Sequence, residues 1–456
     1  MIFFPRADSL LRFAPLGWIK VVLCLAVGMA VSPTKSVANS ISSDAKALYG
    51  LGSMHFAEGR LDEAIKEFTQ AAQLWPESVL IRHRLAAACL VKAHIARDAK
   101  DKLPLAELAW SALKEVEERL GPSYEEGGLY EVCLGLGDLC AEVKWWREAE
   151  DCFEWAWSIQ QGRLEPLLKK GAIQASRDAW KDAEETFDRV LREDSDNKDA
   201  LYHKAHGLWQ REKPRRAIRL LDDLVETEEP DARVLFLYGL ILEDRGHPDK
   251  AREKYERLLE EKDDHRQALK RLAFLFQREE NWSEASIRFR RLLELDEDDP
   301  GARFGLATCL ERLGLFRASV HQFRALIQEY PGGPEVLNYL GYMYAENGLF
   351  LDQAEALIRN ALRSDPRNGA YMDSLGWVYY QKRQYDRALD SLKEAQALLE
   401  TAGEDDPVVR EHLGDTYAHL DMKEEALDQW KAALRIDPKN SRVRSKVRTG
   451  GLFPPF

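Results

Sequence analysis

The stretch Asp373-Ser-Leu-Gly-Trp-Val-Tyr-Tyr380, followed by Tyr385-Asp-Arg-Ala388 and Leu392, decides how this chain is read. Gly376 stands 12 before Ala388, and Leu392 stands 4 after it. Both offsets lie on helical faces. The glycine then falls in one helix, and the alanine with its large neighbour in the next. Small residues let two antiparallel helices approach closely, and the large side chain fills the space beside them. The same phase runs outward along the chain. Ala149, Ala183, Ala217, Ala251, Ala285 and Ser319 are evenly spaced, each 34 apart, and Ala354, Ala388 and Ala426 follow at 35, 34 and 38. A fixed period of this size marks a helical solenoid, which displays an extended surface and needs no catalytic pocket.

Other positions keep step. One helical turn after the small residue stand Phe153, Phe187, Leu221, Tyr255, Phe289, Phe323, Ile358, Leu392 and Trp430. Near the ends of several units stand Pro76, Pro331, Pro366 and Pro438, where a missing N–H stops the second helix. Gly246-His-Pro248 and Gly314-Leu-Phe316 read as turns between paired helices. Further copies of the pattern are Gly52 through Gly59 with Ala64, Phe68, Ala71 and Pro76, and Leu413-Gly-Asp-Thr-Tyr417 with Ala426 and Trp430. So many copies in phase resemble the tetratricopeptide repeat (TPR) family. The resemblance implies an all-α, right-handed helix-turn-helix solenoid of about eleven units between positions 45 and 440.

Four regions are expected. Residues 1–38 read as a signal peptide or signal anchor: Arg6, Arg12 and Lys20 precede the apolar run Val21–Val31, and Ser36-Val-Ala38 offers small residues for cleavage. The run from Val21 to Val31 is short for a bilayer span. Residues 39–122 hold one N-terminal unit and an irregular one, whose first helix is expected to run to about Lys102, before Pro104. Residues 123–440 form the regular array, with one extra residue around Gly348-Leu-Phe-Leu-Asp352. Residues 441–456 are a basic cap and tail, ending in Gly450-Gly-Leu-Phe-Pro-Pro-Phe456. The tail reads either as a solvating cap with a loose end or as a docking segment.

Composition narrows the function. The net charge is −13, although the segment 1–38 carries four bases against Asp8. An acidic array is a poor nucleic-acid binder, because phosphate contacts need a basic surface. Six cysteines occur without C-x-x-C spacing, so a structural zinc site is not expected. Cys133 and Cys140 share a helical face and Cys152 lies on the partner helix. They read as small core residues, although an oxidising compartment would permit a Cys140–Cys152 disulfide. His203 and His206 could share a metal, but no third ligand is evident and an ordinary surface pair is the preferred reading. No P-loop, H-E-x-x-H or G-x-S-x-G motif is present, so no enzyme and no cofactor is expected.

In TPR proteins the first helix of each unit lines the concave, ligand-binding face. Carrying over the family's ligand-facing register gives Tyr202, His206, Trp209, Phe274, Tyr342, Trp377 and Tyr380 as partner-binding residues. Lys270, Phe304, Thr308, Asn338, Asp373, Glu411 and Asp415 stand beside them. Aromatic anchors suit capture of a peptide or partner helix. Trp209, Tyr342, Trp377 and Tyr380 are expected to be exposed, while Phe236 and Phe274 have packing against neighbouring first helices as the competing expectation. The family's carboxylate clamp is missing, since Lys270 is followed by Phe274 at its second position, and Asn338 by Tyr342.

The final units, from Leu340-Gly-Tyr-Met-Tyr344 through Glu411-His-Leu-Gly-Asp415, are similar to exported proteobacterial cell-envelope TPR proteins. That implies a periplasmic or envelope-associated scaffold or adaptor, with an envelope protease or assembly factor as partner. Membrane association is expected only through an uncleaved N-terminal segment. The alternative is a membrane-anchored regulator of envelope polysaccharide or lipopolysaccharide assembly.

Overall fold

The computed structural model describes residues 43–120, 128–226, 231–331 and 333–449. The segment 1–38 and the tail 450–456 lie outside the described residues. Among the described residues there are eleven antiparallel helix pairs and one further helix, Ser441–Thr449, with no strand. The chain divides into two compact units, residues up to His247 and residues from Pro248.

Each pair is built on the contact that the sequence spacing implies. A Cβ placed on Gly137, Gly171, Gly376 or Gly414 would lie 2.4–2.7 Å from Phe153, Phe187, Leu392 or Trp430 of the partner helix. Those glycines are therefore required for close approach, not for flexibility. The large residue is fully enclosed in every regular unit, from Phe153 to Trp430. Burying each such side chain contributes about 1.5–3 kcal/mol.

The turns repeat as strictly as the core. Lys144, Asp178, Glu212, Gly246, Glu280, Gly314, Gly348, Arg383 and Asp421 all have positive φ, between 57° and 73°. Each ends a first helix. The N–H that follows reaches back across the turn, as in Trp145 to Cys140 (2.7 Å) and Leu315 to Leu310 (2.8 Å). This is the Schellman closure. First helices often begin at a polar cap: Asn197, Asp299 and Asn368 accept the N–H of Ala200, Ala302 and Tyr371 at 2.9–3.2 Å.

Two irregularities are resolved. In the second pair the first helix ends at Ile95 and the second runs Ala99–Leu120 with Pro104 inside it. The break therefore falls near Ala96, not at Pro104. Only one helical turn precedes Pro104, so its missing N–H removes a single backbone bond. In the ninth pair the extra residue is Phe350, which takes φ +48° and ψ 40° between the Schellman closure at Gly348 and the helix Leu351–Ser364.

The cysteines from Cys89 to Cys309 are free and buried. Burial pushes the Cys152 thiol well above its ordinary range, and a hydrogen bond with Cys140 adds to the shift. No helix among the described residues is long and apolar enough to cross a membrane.

Candidate protein-binding face

The expected site residues divide between the two compact units. In the first, helix Lys198–Gln210 carries Tyr202, His206 and Trp209, all half-buried. The His206 ring stands edge-on to Trp180 at 5.2 Å, and lies 6.5 Å from Tyr202 and 6.1 Å from Trp209. Arg233 from the next first helix lies over Tyr202 at 5.3 Å and pairs with Asp199 at 2.8 Å. Trp209 Nε1 donates to Asp244 at 3.2 Å. His203 stacks on Phe187 at 5.2 Å, so it is a packing residue and not the surface partner of His206. Burial holds both imidazoles down at about 4, with His206 itself adding to the shift at His203. Both rings are therefore neutral near pH 7. No group of three metal-ligating side chains is found among the described residues.

In the second unit Phe274 is 44% exposed and meets Phe289 in a T-shaped contact at 5.8 Å. Phe236, in the first unit, is half-buried. Further along the second unit, aromatic rings from successive first helices form a ladder. Tyr342 lies 6.3 Å from His412, His412 stacks on Trp377 at 4.0 Å, and Trp377 stacks on Tyr380 at 4.5 Å. Tyr380 meets His419 edge-on at 5.1 Å and shares a 3.1 Å hydrogen bond with its Nδ1.

Trp377 corrects the sequence reading. It is only 7% exposed, because His412 and Tyr380 cover its two faces. Tyr342 and Tyr380 remain half-exposed at the ends of the stack. Burial raises the Tyr342 and Tyr380 hydroxyls well above the phenol range, helped by Glu346 at the first and Asp415 at the second. Both stay neutral donors.

Glu411 and Asp415 are a second correction. They are not open ligand positions but are buried and satisfied by the last helix. Lys446 reaches Glu411 at 2.7 Å and Asp415 at 2.6 Å, and Arg442 reaches Glu411 at 2.7 Å. Burial works against ionising Glu411, but Lys446 and Arg442 together hold its carboxyl below the usual range. Asp415 shares Lys446 and accepts from Trp430 Nε1 at 2.9 Å, yet there burial wins and raises the carboxyl. One unit earlier, His412 pairs with Asp373 at 2.9 Å. Burial opposes the charged imidazolium, yet the Asp373 carboxylate prevails and the His412 pKa is raised. Lys446 follows His412 by one repeat period, so the repeat itself marks it as the next rung.

Signatures of the tetratricopeptide repeat match residues 45–88, 202–266, 270–334, 310–353 and 350–407, together more than half of the chain. The chain belongs to the tetratricopeptide repeat family. It is similar to the protein CTR9 homolog of Arabidopsis thaliana, 30% identical over 132 residues, 29% of this chain. That match spans 12% of the relative's length. Among solved structures it is similar to a thermophilic TPR protein of Thermus thermophilus (27% identity, 41% of this chain and 100% of the other, TM-score 0.37). It is also similar to yeast Tom70 (14% identity, 89% of this chain and 95% of the other, TM-score 0.38). As a TPR protein the chain is a repeat scaffold for protein–protein interaction, built on a fold whose members are generally non-catalytic.

Proposed function

We propose that this TPR protein is an exported adaptor of the cell envelope that captures a peptide or partner helix along its first-helix face. The aromatic ladder carries the reading. Tyr342 and Tyr380 stand half-exposed with neutral hydroxyls, on a rigid stack in which Trp377 and His412 are fixed. Aromatic anchors of this kind offer large contact area at low entropic cost. Phe274 offers the same chemistry on another first helix of the second unit, and Tyr202, His206 and Trp209 form a separate aromatic cluster within the first unit. Trp377 acts as the support of the ladder, and Tyr342 and Tyr380 as its contact surface. An envelope protease or assembly factor is the partner class. The basic, apolar segment before position 38 favours export.

Crosslinking and affinity capture with the full chain, compared with a Phe274→Ala/Tyr342→Ala/Tyr380→Ala variant, tests the adaptor. A partner identified with the parent and lost by an equally helical variant supports it. Equal capture by both removes the ladder from the binding site. Cell fractionation tests export separately, and a purely cytoplasmic chain ends that part of the proposal.

A further inference from the structure

The extra residue of the ninth pair builds a surface away from the first-helix ladder. Phe316, Arg317, His321 and Arg324 of the second helix Phe316–Glu329, with Leu349 and Phe350 of the turn, line an open groove of about 630 Å3. Arg317, His321 and Arg324 recur at offsets of 4 and 3, which places them on one helical face. No carboxylate lines the groove. Of the acids that flank it along the chain, Glu329 pairs with Arg303 at 3.4 Å and Asp352 with Lys382 at 2.7 Å. Among the described residues neither Arg317 nor Arg324 has an ion-pair partner. In a chain of net charge −13, unpaired cations beside an apolar groove are a local inversion.

The apolar wall is also held at a conformational cost. Leu349 and Phe350 are 43% and 53% exposed, and Phe350 keeps a left-handed backbone that a bulky aromatic disfavours. Its ring leans on Tyr344 at 5.2 Å and its free side faces the groove. Strain of this kind concentrates where surfaces bind.

We propose that this groove docks an acidic amphipathic segment of a partner protein. An apolar side chain of that segment sits between Phe316 and Phe350, and its flanking carboxylates pair with Arg317 and Arg324. The occupant is assigned by complementarity: both cations lack an ion-pair partner among the described residues, and the wall between them is apolar.

The probe is a fluorescein-labelled helical peptide with Leu and Phe on one face and Glu beside them. Its control carries Lys in place of every Glu. Anisotropy titrations with the full chain are expected to give binding of the acidic peptide at least tenfold tighter than the control, and weaker as salt rises. Arg317→Glu/Arg324→Glu should weaken the acidic peptide at least tenfold, with helicity and melting unchanged because both side chains are exposed. Phe350→Asn, which tolerates the left-handed backbone, should weaken it as well. Equal affinity for the two peptides, no binding of either, or indifference to the arginine variant overturns the proposal. Binding lost instead in Tyr342→Ala/Tyr380→Ala moves the peptide to the ladder and also overturns it. Self-association of the parent that the arginine variant abolishes makes the occupant a second copy, and overturns the assignment to an acidic partner.

Discussion

Glu212 occupies a turn position where φ is +58°, and its side chain is exposed. The equivalent positions one and three repeats later are Gly246 and Gly314. An L residue in this conformation costs about 1–2 kcal/mol, partly offset by the extra freedom glycine has in the unfolded chain. Glu212→Gly is therefore expected to stabilise by about 0.5–1 kcal/mol, read as a higher urea midpoint. A lower midpoint would mean the turn is not strained. Glycine in the opposite setting behaves oppositely. A Cβ on Gly414 would lie 2.4 Å from Trp430 Nε1, which donates to Asp415 at 2.9 Å. Gly414→Ala should destabilise by about 1–3 kcal/mol through overpacking. Gly50 has no neighbour within 4 Å of an added Cβ, so Gly50→Ala should raise stability by about 0.5–1 kcal/mol. Equal responses at the two glycines would remove close packing as the reason for Gly414.

At the scale of elements, the short helix Ser441–Thr449 takes the place of the first helix of a further unit. Val443 is fully buried in the last core cluster. Lys446 satisfies Asp415 much as Lys169 satisfies Asp138 at 2.8 Å, across the same sequence separation of 31, and it reaches Glu411 as well. Glu411, Asp415 and Lys446 are all at most 10% exposed. Removing one partner of a buried ion pair leaves an uncompensated charge and costs about 3–5 kcal/mol. Lys446→Ala should therefore lower hydrogen-exchange protection in Pro407–Ile436, whereas Lys439→Ala, which removes an exposed base, should leave it unchanged. A parallel loss in both variants would show that overall charge is at work. This helix also marks the limit of sequence reading. The period, the paired helices and the glycine contacts were legible because each rests on residue size at a fixed offset. The break at Ala96 was hidden by Pro104, a residue that usually ends helices but here lies one turn inside one. The turn conformation was legible only where glycine announced it, since tertiary closure imposes it on Lys144, Asp178 and Arg383. Tyr342 and Tyr380 fall on first helices at the spacing the repeat gives them, and both are half-exposed. The burial of Trp377 was not legible, because it depends on His412 in the following unit, and the role of Lys446 was obscured by a run of neighbouring bases.

At the scale of the molecule, a repeat array has neighbour contacts in place of one central core, so each region keeps its own dependence on conditions. Buried histidines answer acidity differently along the array. His83, His203 and His206 lie before His247, and burial lowers each to about 4 from an unfolded value near 6.5. A depressed folded pKa means that the unfolded state binds more protons. Their stabilisation is therefore complete above about pH 6.5 and is lost as pH falls towards 4. His412 lies in the other unit, and its pKa is raised because Asp373 outweighs burial. Its contribution is complete below about pH 6.5 and is lost as pH rises through the folded value. Glu154 and Glu355, each held at about 2, withdraw their stabilisation only as pH falls below the usual glutamate value of about 4.3. Hydrogen exchange, corrected for intrinsic rates, should thus show helix Lys198–Gln210 losing protection between about pH 6.5 and 4.5. Over the same interval Pro407–His419 should hold its protection, and should lose it as pH rises through the raised His412 value. His203→Gln/His206→Gln should flatten the first profile, and His412→Gln the second. If both segments follow one curve, or if the variants leave the curves unmoved, these histidines do not govern regional stability and the acid response belongs to the carboxylates.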